Sequence, residues 1–252
     1  MMATPTAPRL DIGRLATSLS DGDRRFRLSV EALSLTGGEV MAVTGASGSG
    51  KTLFLELLGL LRQPDAGAAY RVQAQGRGPQ DLVALWRGGP RGADLARARG
   101  RIFGFVPQTG ALVPFLSVAE NVALTQRIAG RRDPGRVATL LDRLGIAGVA
   151  RLKPQSLSIG QRQRVAIARA LAHAPAFVIA DEPTAALDPA SSHSAMQLLL
   201  DTARAEGAGV ILSSHDLGRL DRLGLSRLHF SVEAHGPSPA RDIRATARVI
   251  PC

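Results

Sequence analysis

Gly45-Ala46-Ser47-Gly48-Ser49-Gly50-Lys51-Thr52 has the G-x-x-x-x-G-K-[ST] spacing of a phosphate-binding loop. In such a loop small residues let backbone amides wrap an anion, the ammonium reaches the β- and γ-phosphate oxygens, and the hydroxyl binds Mg²⁺. The lysine is informative, because among 31 Lys and Arg residues only Lys51 and Lys153 are lysines. Arg is a planar fork suited to bidentate contacts, whereas Lys is a compact charge that fits between two phosphates under a tight backbone. Phosphoryl transfer to water also needs a second Mg²⁺ anchor and a group that activates the attacking water. Asp181 and Glu182 supply both, directly after the apolar run Phe177-Val-Ile-Ala180. At the carboxyl end of a buried strand, where open α/β sheets bind ligands, Asp181 is expected to reach the Mg²⁺ shell and Glu182 to act as general base. Together these residues point to a hydrolase acting on a nucleoside triphosphate with Mg²⁺.

Each of these groups needs a particular element to hold it. Val40-Met-Ala-Val43 reads as a buried strand and Thr52-Leu-Phe-Leu-Glu-Leu-Leu58 as the helix after the loop. That helix adds the partial positive charge of its N-terminus to the anion site. Alternation at Phe26, Leu28 and Val30 predicts an earlier strand. Residues 62–100 are Gly-, Arg- and Ala-rich with weak periodicity and one short strand around 70–73, and Ile102–Val106 is a further strand stopped by Pro107. Ser117-Val-Ala-Glu120 matches a capping box and opens a helix to about Ile128. Helices are expected over 136–144, 158–171 and 190–205, and buried strands over 176–180 and 209–213. Strands alternating with helices imply a mainly parallel α/β sheet covered on both faces. The helix-only stretch from about 110 to 160 reads as an inserted subdomain.

Composition narrows the partners. Of the 252 residues 45% are hydrophobic, enough for a sizeable core, and 4% are aromatic, so that core is aliphatic. Cys252 is the only cysteine, which excludes an intrachain disulfide and fits a reducing compartment. The start MMATPTAPRLDIGR has no apolar signal-peptide region, and no apolar run is long enough to span a bilayer. The net charge of +10 keeps nucleic acid in view. The arginines are scattered, however, without the aromatic interleaving of a stacking surface, which favours solvated helix faces.

Further motifs carry a family resemblance. Leu157-Ser158-Ile159-Gly160-Gln161-Arg-Gln-Arg-Val-Ala-Ile-Ala-Arg-Ala-Leu171 resembles the signature helix of ATP-binding cassette (ABC) ATPases, and Asp181-Glu-Pro-Thr-Ala-Ala-Leu-Asp188 their Walker B and D-loop. Ser214-His215-Asp216 resembles their switch histidine and Val106-Pro-Gln108 their Q-loop, all in the family's order over about residues 30–225. The resemblance implies a P-loop NTPase (RecA-like) core over about 8–108 and 172–235 with an antiparallel β part. It also implies an inserted α-helical subdomain over about 109–171 and a short tail over 236–252. It implies that ATP and Mg²⁺ bind at Gly45 through Leu53, with Thr52, Gln108 and Asp181 toward the metal and Glu182, His215 and Gln108 serving hydrolysis. Ser158, Gly160 and Gln161 would cap the γ-phosphate bound by a second copy, joining two copies head to tail, and Asp188 would signal across that interface.

The implied partner is a separate membrane permease, with the chain peripheral on the cytoplasmic face of the inner membrane. The subgroup for lipoprotein release, macrolide efflux and cell-division signalling is the nearest in sequence character. Mechanical signalling without transport and a soluble nucleic-acid role are the alternatives. Three departures stand out. Ile159 replaces a signature glycine, and Leu53 replaces a second hydroxyl after Thr52. No aromatic residue stands in Leu19-Ser-Asp-Gly22 to stack on the base, and Phe26, the nearest one, also fits a core strand.

Overall fold

The first strand, β1 (Arg9–Asp21), starts well before the alternation at Phe26. Leu10, Ile12 and Leu15 are buried along it. Its pairing with a later strand slips between Ile12 and Arg14. Such a bulge breaks the period-two pattern on which sequence reading depends. The computed structural model describes residues 7–74, 78–234 and 242–251, which divide into two units: Met1–Thr36, Val40–Ala96 and Ser213–Cys252 in the first, Gly37–Glu39 and Arg97–Leu212 in the second.

In the first unit β1 is followed by β2 (Arg24–Val30), β3 (Leu33–Thr36), β4 (Val40–Gly45), α1 (Lys51–Leu58), β5 (Ala69–Gln73) and β6 (Gln80–Asp81). Helix α2 (Ala93–Ile102) leaves it. In the second unit come β7 (Phe103–Val106), α3 (Val118–Ala129), α4 (Pro134–Arg143), α5 (Ile159–Leu171), β8 (Phe177–Ala180), α6 (Pro189–Ala205) and β9 (Gly209–Ser213). The chain then returns to the first unit for α7 (Leu217–Arg222), β10 (Ser226–Ala234) and β11 (Asp242–Ile250).

The strands of the first unit lie in the order β6-β5-β1-β2-β11-β10-β4, with β3 paired to β1. Two of these pairings are parallel, β2 with β11 and β10 with β4. Helix α1 packs on this sheet through Phe54, whose ring lies 5.4 Å from that of Phe230. Nine residues assigned from sequence to a C-terminal tail therefore form β11, seated between β2 and β10. Its inward residues are small, Ala245 and Ala247, with Ala245 fully buried, so the strand carries little apolar signal. Cys252 and residues 235–241 lie outside the described residues. Helix α2 was hidden in a similar way, since its buried residues Leu95, Ala98 and Ile102 are separated by arginines and a glycine.

In the second unit β9, β8 and β7 run parallel in register, Phe103 beside Phe177 and Phe177 beside Gly209. Every residue of β8 is buried, as expected of short continuous apolar runs covered on both faces. The capping box at Ser117 forms: the Ser117 hydroxyl accepts from the Glu120 amide and Glu120 Oε2 accepts from the Ser117 amide at 2.8 Å. The C-terminus of α5 is closed by a side chain from α4. Arg136 donates to the carbonyls of Leu171 at 2.8 Å and Ala172 at 3.0 Å, and pairs with Glu206 at 2.7 Å. A cation there satisfies orphan carbonyls and suits the negative end of the helix dipole. Among the described residues no helix is long and apolar enough to cross a membrane.

Candidate nucleotide site

The phosphate-loop sequence adopts a loop between β4 and α1. Gly48 at φ 75° and Gly50 at φ 95° supply left-handed turns that side chains resist. No side chain caps α1, and an uncapped helix N-terminus is suited to receive an anion. Lys51 is buried at 6% exposure. Its ammonium donates to the carbonyls of Gly45 at 3.0 Å and Ala46 at 3.1 Å. A buried ammonium at the mouth of such a loop is a point charge suited to phosphate oxygens. Ser49 Oγ is buried within the same loop with no hydrogen-bond partner, a cost of about 1–3 kcal/mol that a phosphate oxygen would remove. The loop residues thus fit a polyphosphate. Thr52 is exposed on the first turn of α1, while Leu53 is buried on the helix's inner face. Leu53 therefore has only its backbone to offer a ligand.

His215 follows β9 in the first unit. The amide of Ser214 donates to the Val43 carbonyl at 3.2 Å, which ties this turn to β4 two residues before Gly45. Asp216 caps α7 by accepting from the Arg219 amide at 2.9 Å. His215 itself is exposed between these two fixed points.

The carboxylates belong to the second unit. The Asp181 amide donates to the Val106 carbonyl at 3.0 Å, and Val106 stands in register with Ala180. The residues after β7 and β8, Gln108 and the pair Asp181 and Glu182, therefore emerge at one sheet edge. Gln108 is exposed, and Asp181 and Glu182 are half-buried. Glu182 has φ 43°, a left-handed conformation that costs a non-glycine residue about 1–3 kcal/mol and clusters at functional sites. It turns the chain off the strand, with the Glu182 carbonyl accepting from the Ala185 amide at 3.1 Å.

Ser158 is the N-cap of α5, its hydroxyl accepting from the Gln161 amide at 3.2 Å while Gln161 Oε1 accepts from the Ser158 amide at 2.9 Å. The Ser158 O–H proton still remains to donate to an anion. A Cβ on Gly160 would meet nothing within 4 Å, so the backbone there is open to close approach. Ile159, beside it, is 51% exposed. Ser158, Gly160 and Gln161 line a groove of about 500 Å³ shared with Arg164, Ser191 and Ser194. Asp188 Oδ1 accepts from the Ser191 amide at 3.0 Å at the start of α6.

One residue escaped attention in the sequence. Arg169 donates from both ends of its fork to the carbonyls of Gly110 and Ala111, each at 2.9 Å. It thereby fixes the segment following Gln108 against α5. Burial lowers its pKa. The available signal was an arginine in a helix whose neighbours Ala168, Ala170 and Leu171 are all core residues.

A model of the ABC transporter family matches residues 28–185. The lipoprotein-releasing system ATP-binding protein LolD of Maricaulis maris (strain MCS10) is 43% identical over 76% of this chain and 82% of its own length. The macrolide export ATP-binding/permease protein MacB of Burkholderia thailandensis (strain ATCC 700388) is 40% identical over 83% of this chain and 31% of its own. Among solved structures, the ATP-binding cassette MJ0796, dimeric in a post-hydrolysis state with ADP and Pi, superposes with a TM-score of 0.72. It is 30% identical and covers 87% of this chain and 93% of its own. With the family model running from β2 through the Asp181-Glu182 turn, this chain belongs to the ABC transporter family as an ATP-binding subunit.

Proposed function

We propose that the chain hydrolyses ATP to drive a separate membrane permease, working as a head-to-tail pair of copies on the cytoplasmic face of the inner membrane. The observation that supports this most is the buried Lys51 ammonium, resting on loop carbonyls at the uncapped end of α1 beside the unsatisfied Ser49 hydroxyl. Gly45 through Leu53 would hold the phosphates. Thr52, Asp181 and Gln108 would hold Mg²⁺, which neutralises charge developing on the β- and γ-oxygens. Glu182 takes the proton of the attacking water, and His215 orients the γ-phosphate. Ser158, Gly160 and Gln161 of the second copy close the site over that phosphate, and Asp188 meets the opposing copy. Residues 109–171 form the helical subdomain that receives the permease. The Arg169 fork on Gly110 and Ala111 is a direct mechanical link between its signature helix and the Gln108 segment.

The reading is tested with two variants of the full chain and purified components. Lys51→Ala abolishes ATP binding. Glu182→Gln keeps ATP and Mg²⁺ bound, accumulates as a dimer on a sizing column, and loses turnover by about 100-fold or more, the usual worth of a general base. Tagged Glu182→Gln, incubated with ATP in detergent-solubilised native membranes, co-purifies with a polytopic membrane protein in near-equal amount. Turnover of Glu182→Gln at the parent rate would refute the assignment of the base, and recovery of soluble protein alone would refute the permease.

A further inference from the structure

Strand β4 is apolar from Val40 to Val43 and then carries a hydroxyl, Thr44, immediately before the phosphate loop. Thr44 is fully buried, and a hydroxyl in such a place is costly unless it is hydrogen-bonded. Its Oγ1 lies 3.0 Å from Nδ1 of His229, the residue that stands beside it in register on β10. Which of the two donates follows from the tautomer of the ring. Successive residues of a strand point to opposite faces, so Phe230 serves the other side of the sheet. Its ring lies 5.4 Å from that of Phe54 on α1. Its carbonyl oxygen would stand 2.7 Å from a Cβ on Gly45. Two consecutive residues of β10 therefore touch the strand before the loop, the first glycine of the loop and the helix after it. Gly45 in turn offers its carbonyl to the Lys51 ammonium at 3.0 Å.

We propose that His229 is a positioning residue for the phosphate loop, acting through the Thr44 hydroxyl to fix Gly45 and with it the carbonyl on which Lys51 rests. The proposal rests on the reading of the loop as a nucleotide site. Apolar contact is non-directional, whereas a hydrogen bond weakens steeply when its distance or angle drifts. The neighbouring pair Val43 and Leu228 tolerates a small displacement of β10 along β4; the hydroxyl and the imidazole do not. Phe230 leaves no spare room at Gly45, so such a displacement is passed to the loop rather than absorbed. The Gly45 carbonyl then moves, and the ammonium leaves the place where phosphate oxygens would meet it. Because the link acts on the loop, its effect falls on the phosphate part of the ligand. The loop motif fixes Gly45 and Lys51 in sequence, but what holds them on the sheet includes a histidine 185 residues from Thr44 along the chain.

The test is isothermal titration of the full chain with ATP and with inorganic tripolyphosphate, each with Mg²⁺, at a temperature where far-UV circular dichroism shows every variant folded. Thr44→Val keeps the shape of the side chain and leaves only the half-buried His229 ring to water. Its loop spends part of the time displaced, and affinity falls by the fraction that stays in place. One hydrogen bond of ordinary worth sets that fall at about three- to tenfold, equal for the two ligands. Thr44→Ser restores the hydroxyl and returns both affinities to within about twofold of the parent. His229→Leu, which strands the buried hydroxyl, loses at least as much as Thr44→Val. The double variant loses no more than the worse single one, because both changes break one link. A purely structural pair would lower the urea midpoint of Thr44→Val and leave both affinities unchanged, and that result would overturn the proposal. Losses that multiply in the double variant, or a loss confined to ATP, would overturn it too. Should His229→Leu fail to fold, Thr44→Val and its serine rescue decide the matter alone. A parent that bound neither ligand would overturn the loop reading itself, and the proposal with it.

Discussion

Gly45→Ala should damage the first unit far more than Gly48→Ala, although both glycines belong to one loop and both have positive φ. Gly45 ends β4 at φ 145°. A Cβ there would lie 2.6 Å from Ser49 Oγ and 2.7 Å from the Phe230 carbonyl oxygen. The serine can change rotamer. The carbonyl cannot move alone, because Phe230 of β10 stands in register with Gly45; the strand or the loop must shift. The unfavourable backbone conformation costs about 1–2 kcal/mol, and relieving an overlap in packed structure about 1–3 kcal/mol, which together make about 2–5 kcal/mol. Gly48, at φ 75°, has nothing within 4 Å of its Cβ position, so only the first cost, about 1–2 kcal/mol, applies. Urea denaturation followed by far-UV circular dichroism separates them. With a slope of about 3 kcal/mol per molar urea, the midpoint falls by about 0.7–1.7 M for Gly45→Ala and by about 0.3–0.7 M for Gly48→Ala. Saturating ATP and Mg²⁺ raises the midpoint of the parent through linkage, and that rise is lost in Gly45→Ala, whose displaced loop no longer fits phosphate. A Gly48→Ala variant as damaged as Gly45→Ala would refute the argument, since the backbone conformation would then account for everything and the Phe230 contact for nothing.

His173 provides a pH test. Burial pushes its pKa down from 6.5 to about 4, with Arg131 and Arg136 adding to the fall against a raising bond to the Phe103 carbonyl. The unfolded chain therefore takes up this proton first. The stability is fully present above about pH 6.5 and declines as the pH falls toward 4, by up to about 3 kcal/mol. Denaturation free energies measured at pH 7 and pH 4.5 should differ by less in His173→Phe than in the parent, and equal slopes would be contrary to this assignment. Arg136→Met removes the donors to Leu171 and Ala172 and the partner of Glu206 while keeping much of the volume. It should cost about 2–4 kcal/mol, read as a lower urea midpoint, and a midpoint equal to the parent's would show that solvent can replace these bonds.

What was legible in the chain follows from how its physical causes are written along it. Phe177–Ala180 and Gly209–Ser213 announce themselves because a strand buried on both faces must be apolar at every position. The helix starts at Ser117 and Ser158 are equally local, each a side chain serving an amide three residues on. The chemistry of Lys51, Asp181 and Glu182 was readable because phosphate and water dictate those residue types. The carbonyl bonds of Lys51, the left-handed turn at Glu182 and the Arg169 fork were not, because they depend on backbone conformation and on partners that no spacing records. β1 was obscured by its own bulge, and β11 by its small inward residues. The partly exposed apolar row across β1, β2, β11 and β10 lies furthest from view. Leu19, Phe26, Val232 and Ile243 come together only because β11 inserts between β2 and β10 at one register. A slip of one residue would turn Ile243 to the opposite face and bring Asp242 or Arg244 opposite Phe26. The apolar character of this surface is thus a property of strand pairing, which no local spacing along the chain records.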